Sequence, residues 1–198
     1  MYYKPQKLMI MKRMTLALVM IASCIMSFGK ADEKQLQLVE KSGIAQIFDK
    51  SKKAVVVYEF SEDCTASYQG TTNVPFKQYK ELNKEWDEEW EEASQGFAED
   101  WNKRNKKGML IVNGEADYTI KIVIKGVKEM AAWNVWWEIV DGTLEIINNT
   151  DNKVEVSYKI HEYYEGMSGF KAMKLRNRIK ETLAGLSESC LYFAKKEK

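Results

Sequence analysis

Two stretches alternate so strictly that they leave the chain little choice of fold. In ADYTIKIVIKG, Tyr118, Ile120, Ile122 and Ile124 take every second place, with Thr119, Lys121 and Lys125 among the residues between; in KVEVSYKI, Val154, Val156, Tyr158 and Ile160 do the same. A period of two sends one set to each face of a strand, so these are antiparallel strands with an apolar face and a wet face. The apolar face needs a cover. Phe76, Tyr79, Leu82, Trp86, Trp90, Ala93, Phe97 and Trp101 recur at steps of three and four from Pro75 to about Arg104, the stripe of an amphipathic helix. A second stripe, Ile179, Leu183, Leu186, Cys190 and Phe193, runs through a closing helix from about Phe170 to Lys195. The expected fold is therefore α+β: a two-layer sandwich with a mostly antiparallel sheet, a long helix after the first core strand and a C-terminal helix, both helices on one face.

Other segments fill in this plan. AVVVYEF, Ala54 to Phe60, is β-branched and aromatic on both faces and reads as a central strand, followed by a loop through SEDCTASYQGTTN. A short strand is expected near Ile44 to Phe48. A straight helix from Pro75 to Arg104 would be roughly 45 Å long, longer than a compact domain of this size is wide. A bend is thus expected at Ser94-Gln95-Gly96. WNVWWEIV puts Val135, Trp137 and Ile139 on odd positions, yet Leu144 and Ile146 continue on even ones. Either a bulge at Asp141-Gly142 or a two-residue hairpin returns them to one face. The hairpin opposes Glu138 to Glu145, so one long bent strand is preferred.

The N-terminus reads as an export leader. Lys4, Lys7, Lys12 and Arg13 precede an apolar run from Met14 to Phe28, no acid occurs before Asp32, and Gly29-Lys30-Ala31 suits cleavage. Ile21-Ala22-Ser23-Cys24 also fits a lipobox, so a lipid anchor at Cys24 is the alternative to cleavage near Ala31. The expected organisation is a signal peptide over 1–31, an N-terminal leader with a short strand over 32–53, and one α+β domain over 54–198. The whole chain carries 30 basic and 29 acidic residues. The leader takes five bases and no acid with it, which leaves a mildly acidic remainder without a nucleic-acid footprint. No apolar run in that remainder reaches the roughly 20 residues of a membrane span.

NGEADYTIKIVIKGV, then EIVDGTLEIINNTDNKVEVSYKI, then a basic-fronted amphipathic helix resemble a set of small exported envelope proteins of Gram-negative bacteria. Their fold is like the N-terminal domain of the translocation protein TolB, and most are uncharacterised. The resemblance covers roughly residues 54 to 193. It implies a periplasmic or outer-membrane-associated domain that docks to an envelope protein, and it brings no catalytic residues with it.

The residues offer little chemistry. His161 is the only histidine, and alternation puts it on the wet face. There is no CxxC, HExxH, P-loop or GxGxxG, so no cofactor or metal is expected. The acids of EWDEEWEE, Glu85 to Glu92, spread around a helix rather than gathering as calcium ligands do. A hydrolase built on Asp117 and Glu138 is the weakest reading. Cys64 and Cys190 could pair in an oxidising compartment, although Cys190 also serves the apolar stripe of its helix. Trp137 is assigned to the core. Trp133, Trp136, Tyr163 and Tyr164 are the candidate patch on the helix-free face, suited to protein docking or, alternatively, to a carbohydrate or small ligand.

Overall fold

The computed structural model describes residues 34–68, 73–131, 135–165 and 174–198, with side chains at all of these but 130, 131 and 135. The leader over 1–31, Cys24 and Trp133 lie outside the described residues. In chain order the elements are β1 (Leu36–Glu40), α1 (Ile44–Ile47), β2 (Lys53–Tyr68), β3 (Val74–Pro75), α2 (Phe76–Leu82), α3 (Trp86–Ala93), α4 (Gln95–Arg104), β4 (Leu110–Ile111), β5 (Tyr118–Ala131), β6 (Val135–Asn148), β7 (Lys153–Tyr164) and α5 (Leu175–Lys196). The strand order is β1-β7-β6-β5-β2-β3, with β4 also beside β2. β2 runs parallel to β5 and β4, and every other pairing is antiparallel. The fold is α+β around an open, mostly antiparallel sheet. A parallel pair needs a long crossover, and here that crossover carries α2, α3 and α4.

The alternation does what it promised. Register joins Tyr58 to Ile122, Ile122 to Leu144 and Leu144 to Tyr158 in one row across four strands. Ile122 and Leu144 are fully buried in that row, as are Ile120, Ile146, Val156 and Ile160 in its neighbours. Helices close over these rows. At one end the Tyr58 hydroxyl donates to the carbonyl of Ser94, between α3 and α4 (2.7 Å); at the other the Tyr158 hydroxyl donates to the carbonyl of Cys190 in α5 (3.1 Å). Where α4 meets α5, Gly96 sits so close that a Cβ there would come within 2.6 Å of the Lys180 carbonyl oxygen.

Four sequence expectations change. The helix over 75–104 divides into α2, α3 and α4: Asn83 leaves helical geometry (φ −107°, ψ 85°), and Ser94 separates α3 from α4 at the expected bend. The first break swings Trp86 and Trp90 onto Phe60, with ring centroids 6.0 and 5.0 Å away. The expected loop after Phe60 is instead the second half of β2, reached through a bulge in which Ser61 to Cys64 oppose Lys125 alone. β2 also lies beside the sheet margin rather than at its centre, and Val57 is 44 % exposed. Ile44 to Ile47 is a helical turn that buries Ile44 and Ile47, the spacing of three being helical rather than extended. The strand of that segment is β1, which pairs with β7 and so joins the sheet.

β6 is one unbroken strand. Its register to β5 shifts at Lys125 and again at Val140, so Gly126 faces Asp141 while Val127 faces Ile139. These bulges return Trp137, Ile139, Leu144 and Ile146 to the same buried face. Gly142 permits the close passage, since a Cβ there would lie 2.5 Å from the Val123 carbonyl oxygen. Among the described residues, no helix is long and apolar enough to cross a membrane.

Candidate functional site

On β6 and β7 an aromatic pair, Trp136 and Tyr164, lies on the side turned away from Trp137 and Ile139. Trp137 and Ile139 point into the core, so Trp136 and Glu138 point away from it. Register places Glu138 between Lys128 on β5 and Tyr164 on β7. The rings of Trp136 and Tyr164 lie 5.5 Å apart at 32°, and the Trp136 indole N–H donates to Glu138 Oε2 (3.2 Å). Tyr164 is 43 % exposed, Trp136 is half-buried and Glu138 is buried. Two ring faces beside a desolvated carboxylate suit a partner's apolar or cationic side chain, and equally the stacking of a sugar.

Tyr163 does not belong to this patch. It is 1 % exposed, with its hydroxyl 3.0 Å from Ser189 Oγ on α5. Burial, foremost, pushes its phenol well above the ordinary value. The cause lies next door: Glu162 adopts a positive φ of 47°, which resets the alternation so that Ile160 and Tyr163 both turn inward. Strict alternation from Ile160 put Tyr163 outside, and nothing in HEYYEG marks the extra step.

A second polar feature was not among the sequence candidates. Arg178 on α5 and Glu129 on β5 form an ion pair at 2.6 Å, with each side chain 5 % exposed. Tyr79 on α2 donates to the other carboxylate oxygen at 2.7 Å. Burial and then the Glu129 charge hold the Tyr79 phenol far above its ordinary value. Above the trio opens a cavity of about 340 Å³, lined also by Tyr68, Glu85, Glu89 and Lys174. Burial, and after it Glu85, raises the Glu89 carboxyl. One signal existed: Leu175, Arg178 and Thr182 are spaced by three and four, so Arg178 shares the inward face of α5, although it reads as one of a run of surface cations.

The remaining candidates do not converge. Asp117 accepts the backbone N–H of Lys53 (2.9 Å) beyond the Tyr118–Asn148 pair, whereas Glu138 faces Lys128 toward the opposite end of the same two strands. His161 is exposed. Of the acidic run, Asp87 pairs with Lys80 and Glu92 with Arg176, both at 2.6 Å. Among the described residues, no cluster of three or more His, Cys, Asp or Glu could hold a metal ion. Cys64 and Cys190 do not form the disulfide that an oxidising compartment would allow. Both are free and buried, one on the bulge of β2 and the other on the inward face of α5. Burial raises the Cys64 thiol to about 11 and lifts Cys190 further.

No family model matches this chain, and no curated protein matches it. Among solved structures it is similar to the PelC dodecamer from Paraburkholderia phytofirmans, at 13 % identity and a TM-score of 0.39, over 79 % of this chain and 95 % of that one. It is similar also to protein XCC0632 from Xanthomonas campestris, at 9 % identity and a TM-score of 0.38, over 74 % of this chain and 85 % of the other. An uncharacterised protein matches at 8 % identity and a TM-score of 0.33, over 77 % and 96 %.

Proposed function

We propose that this is an exported, non-enzymatic docking domain of the Gram-negative envelope, which engages a protein partner through the helix-free face of its sheet. The observation that carries the reading is the Trp136–Tyr164 pair beside buried Glu138, on the side away from α3, α4 and α5. Large rings left at a surface are suited to association. The export half rests on the basic-then-apolar leader and on the resemblance to TolB-like envelope proteins, with lipidation at Cys24 as one mode of membrane attachment. The architecture is read as a two-layer sandwich, supported by the hydrogen bonds of Tyr58 and Tyr158 to helices from one row of the sheet. The non-enzymatic half is supported by the separation of Asp117 from Glu138 and by the exposed position of His161.

The test is crosslinking in cells with the full-length tagged protein, followed by mass spectrometry of what is captured. One envelope protein recovered near stoichiometrically, and lost in a folded Trp136→Ala variant, supports docking. Recovery of the protein alone refutes it. The same ring pair favours a second reading, a carbohydrate- or small-ligand-binding module. Saturable quenching of tryptophan fluorescence by a glycan, abolished in Trp136→Ala, would establish that instead.

A further inference from the structure

The helix-covered face is finished in its middle and unfinished at one margin. Ile120, Ile122 and Ile124 on β5 are 0 % exposed. Their register neighbours Val56, Tyr58 and Phe60 on β2 belong to the same rows, yet all three keep part of their surface in solvent. Beyond β2 the sheet almost stops. β4 pairs with it only at Lys53 and Ala54, and β3 only at Thr65 and Ala66. Among the described residues, no strand pairs with the outer side of β2 from Val55 to Cys64.

The direction of the backbone groups there follows from their neighbours. Lys52 and Ala54 turn their carbonyls outward, to the N–H groups of Leu110 and Val112, while Lys53 turns its carbonyl inward to the N–H of Asp117. Backbone groups alternate sides along a strand. Val56, Tyr58 and Phe60 therefore each present an N–H and a C=O outward, in a row ready to pair.

Two further features lie along this edge. An open groove of about 720 Å³ runs beside it, with Phe60, Phe76 and Trp86 among its lining. Phe60 and Phe76 stack at 4.1 Å, and Trp86 meets Phe76 edge-on at 5.3 Å. The buried hydroxyl of Ser61, also in the lining, has no hydrogen-bond partner among the described residues. The strand itself is one-signed: Val55 to Cys64 contains Glu59, Glu62 and Asp63 and no basic residue. Glu62 and Asp63 are exposed, and Glu59 is held by Lys121 at 2.7 Å. The helical wall of the groove, by contrast, opposes Lys77, Lys80 and Lys84 with Glu81 and Asp87.

We propose that the outer edge of β2 is a strand-addition site for an extended segment of a partner protein, one that alternates apolar and basic residues. Its backbone pairs with Val56, Tyr58 and Phe60, its apolar side chains enter the groove over Phe60, Phe76 and Trp86, and its basic side chains lie against Glu59, Glu62 and Asp63. The proposal rests on the docking reading above and adds the place and the chemistry of the guest. A second copy of this chain is the poorer guest, because pairing β2 with itself gathers the acids of both copies, and like charges across strands repel.

The probe is a labelled synthetic peptide of ten residues alternating valine and lysine, titrated by fluorescence anisotropy into the purified protein. Controls are a valine–glutamate peptide and one of the first composition with its lysines in a single block. Alternating valine–lysine should bind about tenfold more tightly than either control, a difference of about 1.4 kcal/mol. In the free protein, the amides of Val56, Tyr58 and Phe60 should exchange with solvent faster than those of Val55, Val57 and Glu59, and the peptide should slow them. Val56→Pro removes an outward N–H without touching the β2–β5 ladder and should abolish that binding. If it does not fold, Glu62→Lys with Asp63→Lys on the exposed strand surface should reverse the preference toward valine–glutamate.

Equal binding of all three peptides, protection elsewhere in the sheet, or slow exchange at Val56, Tyr58 and Phe60 in the free monomer would overturn the proposal. Protection that grows with protein concentration alone would overturn the partner in favour of a second copy. If the edge fails while Trp136-dependent capture persists, the edge is refuted and the docking reading stands. If both fail, docking falls as well.

Discussion

Cutting the buried ion pair from one side should unfold the protein far more readily than cutting it from both. Glu129 and Arg178 meet at 2.6 Å with each side chain 5 % exposed. That contact places their charge centres about 4 Å apart, worth about 4 kcal/mol at an effective dielectric constant of about 20. Taking each charge out of water costs several kcal/mol, so the intact pair and a pair of apolar residues are expected to be nearly equal in stability. The surviving charge retains its desolvation cost without the attraction of the partner removed, and removing one partner is expected to cost about 3–5 kcal/mol. The cycle compares Glu129→Met, Arg178→Met and the double variant, all in a Tyr79→Phe background so that no hydroxyl loses its acceptor. Urea unfolding followed by tryptophan fluorescence gives each free energy. In thermal melts each single variant should fall by roughly 10 °C, at about 2–4 °C per kcal/mol for a domain of this size. The double variant should recover most of that loss. Additive losses, with the double variant worse than either single, would refute the argument, because they would mean that the two charges do not compensate each other.

Three other outcomes follow from the same geometry. Gly96→Ala drives a Cβ to 2.6 Å from the Lys180 carbonyl oxygen, and overpacking at this crossing of α4 and α5 should cost about 1–3 kcal/mol in a urea titration; an unchanged midpoint would mean that the helices part freely. Burial, foremost, raises the Glu165 carboxyl above its ordinary 4.5, with Tyr163 opposing and Glu188 and Glu181 adding. A folded acid that holds its proton more tightly than the unfolded chain makes stability fall as pH rises from the ordinary value through the raised one. Glu165→Gln should therefore flatten that fall and be the more stable form at pH 7, and an unaltered slope between pH 4 and pH 7 would count against it. Cys64 and Cys190 should resist alkylation until the chain unfolds and then both react, since each is a buried thiol of raised pKa; a non-reducing digest that yields a Cys64–Cys190 crosslinked peptide would refute the free-thiol assignment.

Much of the site was legible only where the local period held. Trp137 was placed in the core and Trp136 on the opposite face from their neighbours alone, and both sit there. Tyr164 lies beside Trp136 only because the period breaks, since strict alternation from Ile160 would turn it inward. Tyr163 does not, because the positive φ at Glu162 adds a residue to the count, and the backbone departs from alternation there without a glycine or proline to announce it. The change of parity near Asp141-Gly142 was legible from the apolar positions, although the extra residues lie beside that pair, at Val140 on β6 and Lys125 on β5. The bulge after Phe60 was not: SEDC is polar enough to pass for a loop, and only the continued pairing of Thr65 to Tyr68 with β5 shows that it is strand.

The sequence by itself determined which faces are apolar, where helix replaces strand and which ends of the chain carry charge, because each of these depends on neighbours a few positions away. Residue chemistry at a period of two or three to four suffices for that. Tertiary structure alone decided that β2 runs parallel to β5 near a margin, that no strand among the described residues pairs with its outer edge from Val55 to Cys64, and that Glu129 meets Arg178 across forty-nine positions of sequence. Such pairings are chosen by which surfaces meet once the chain has closed on itself, and a charge hidden by a distant helix looks in sequence like any other charge on a surface.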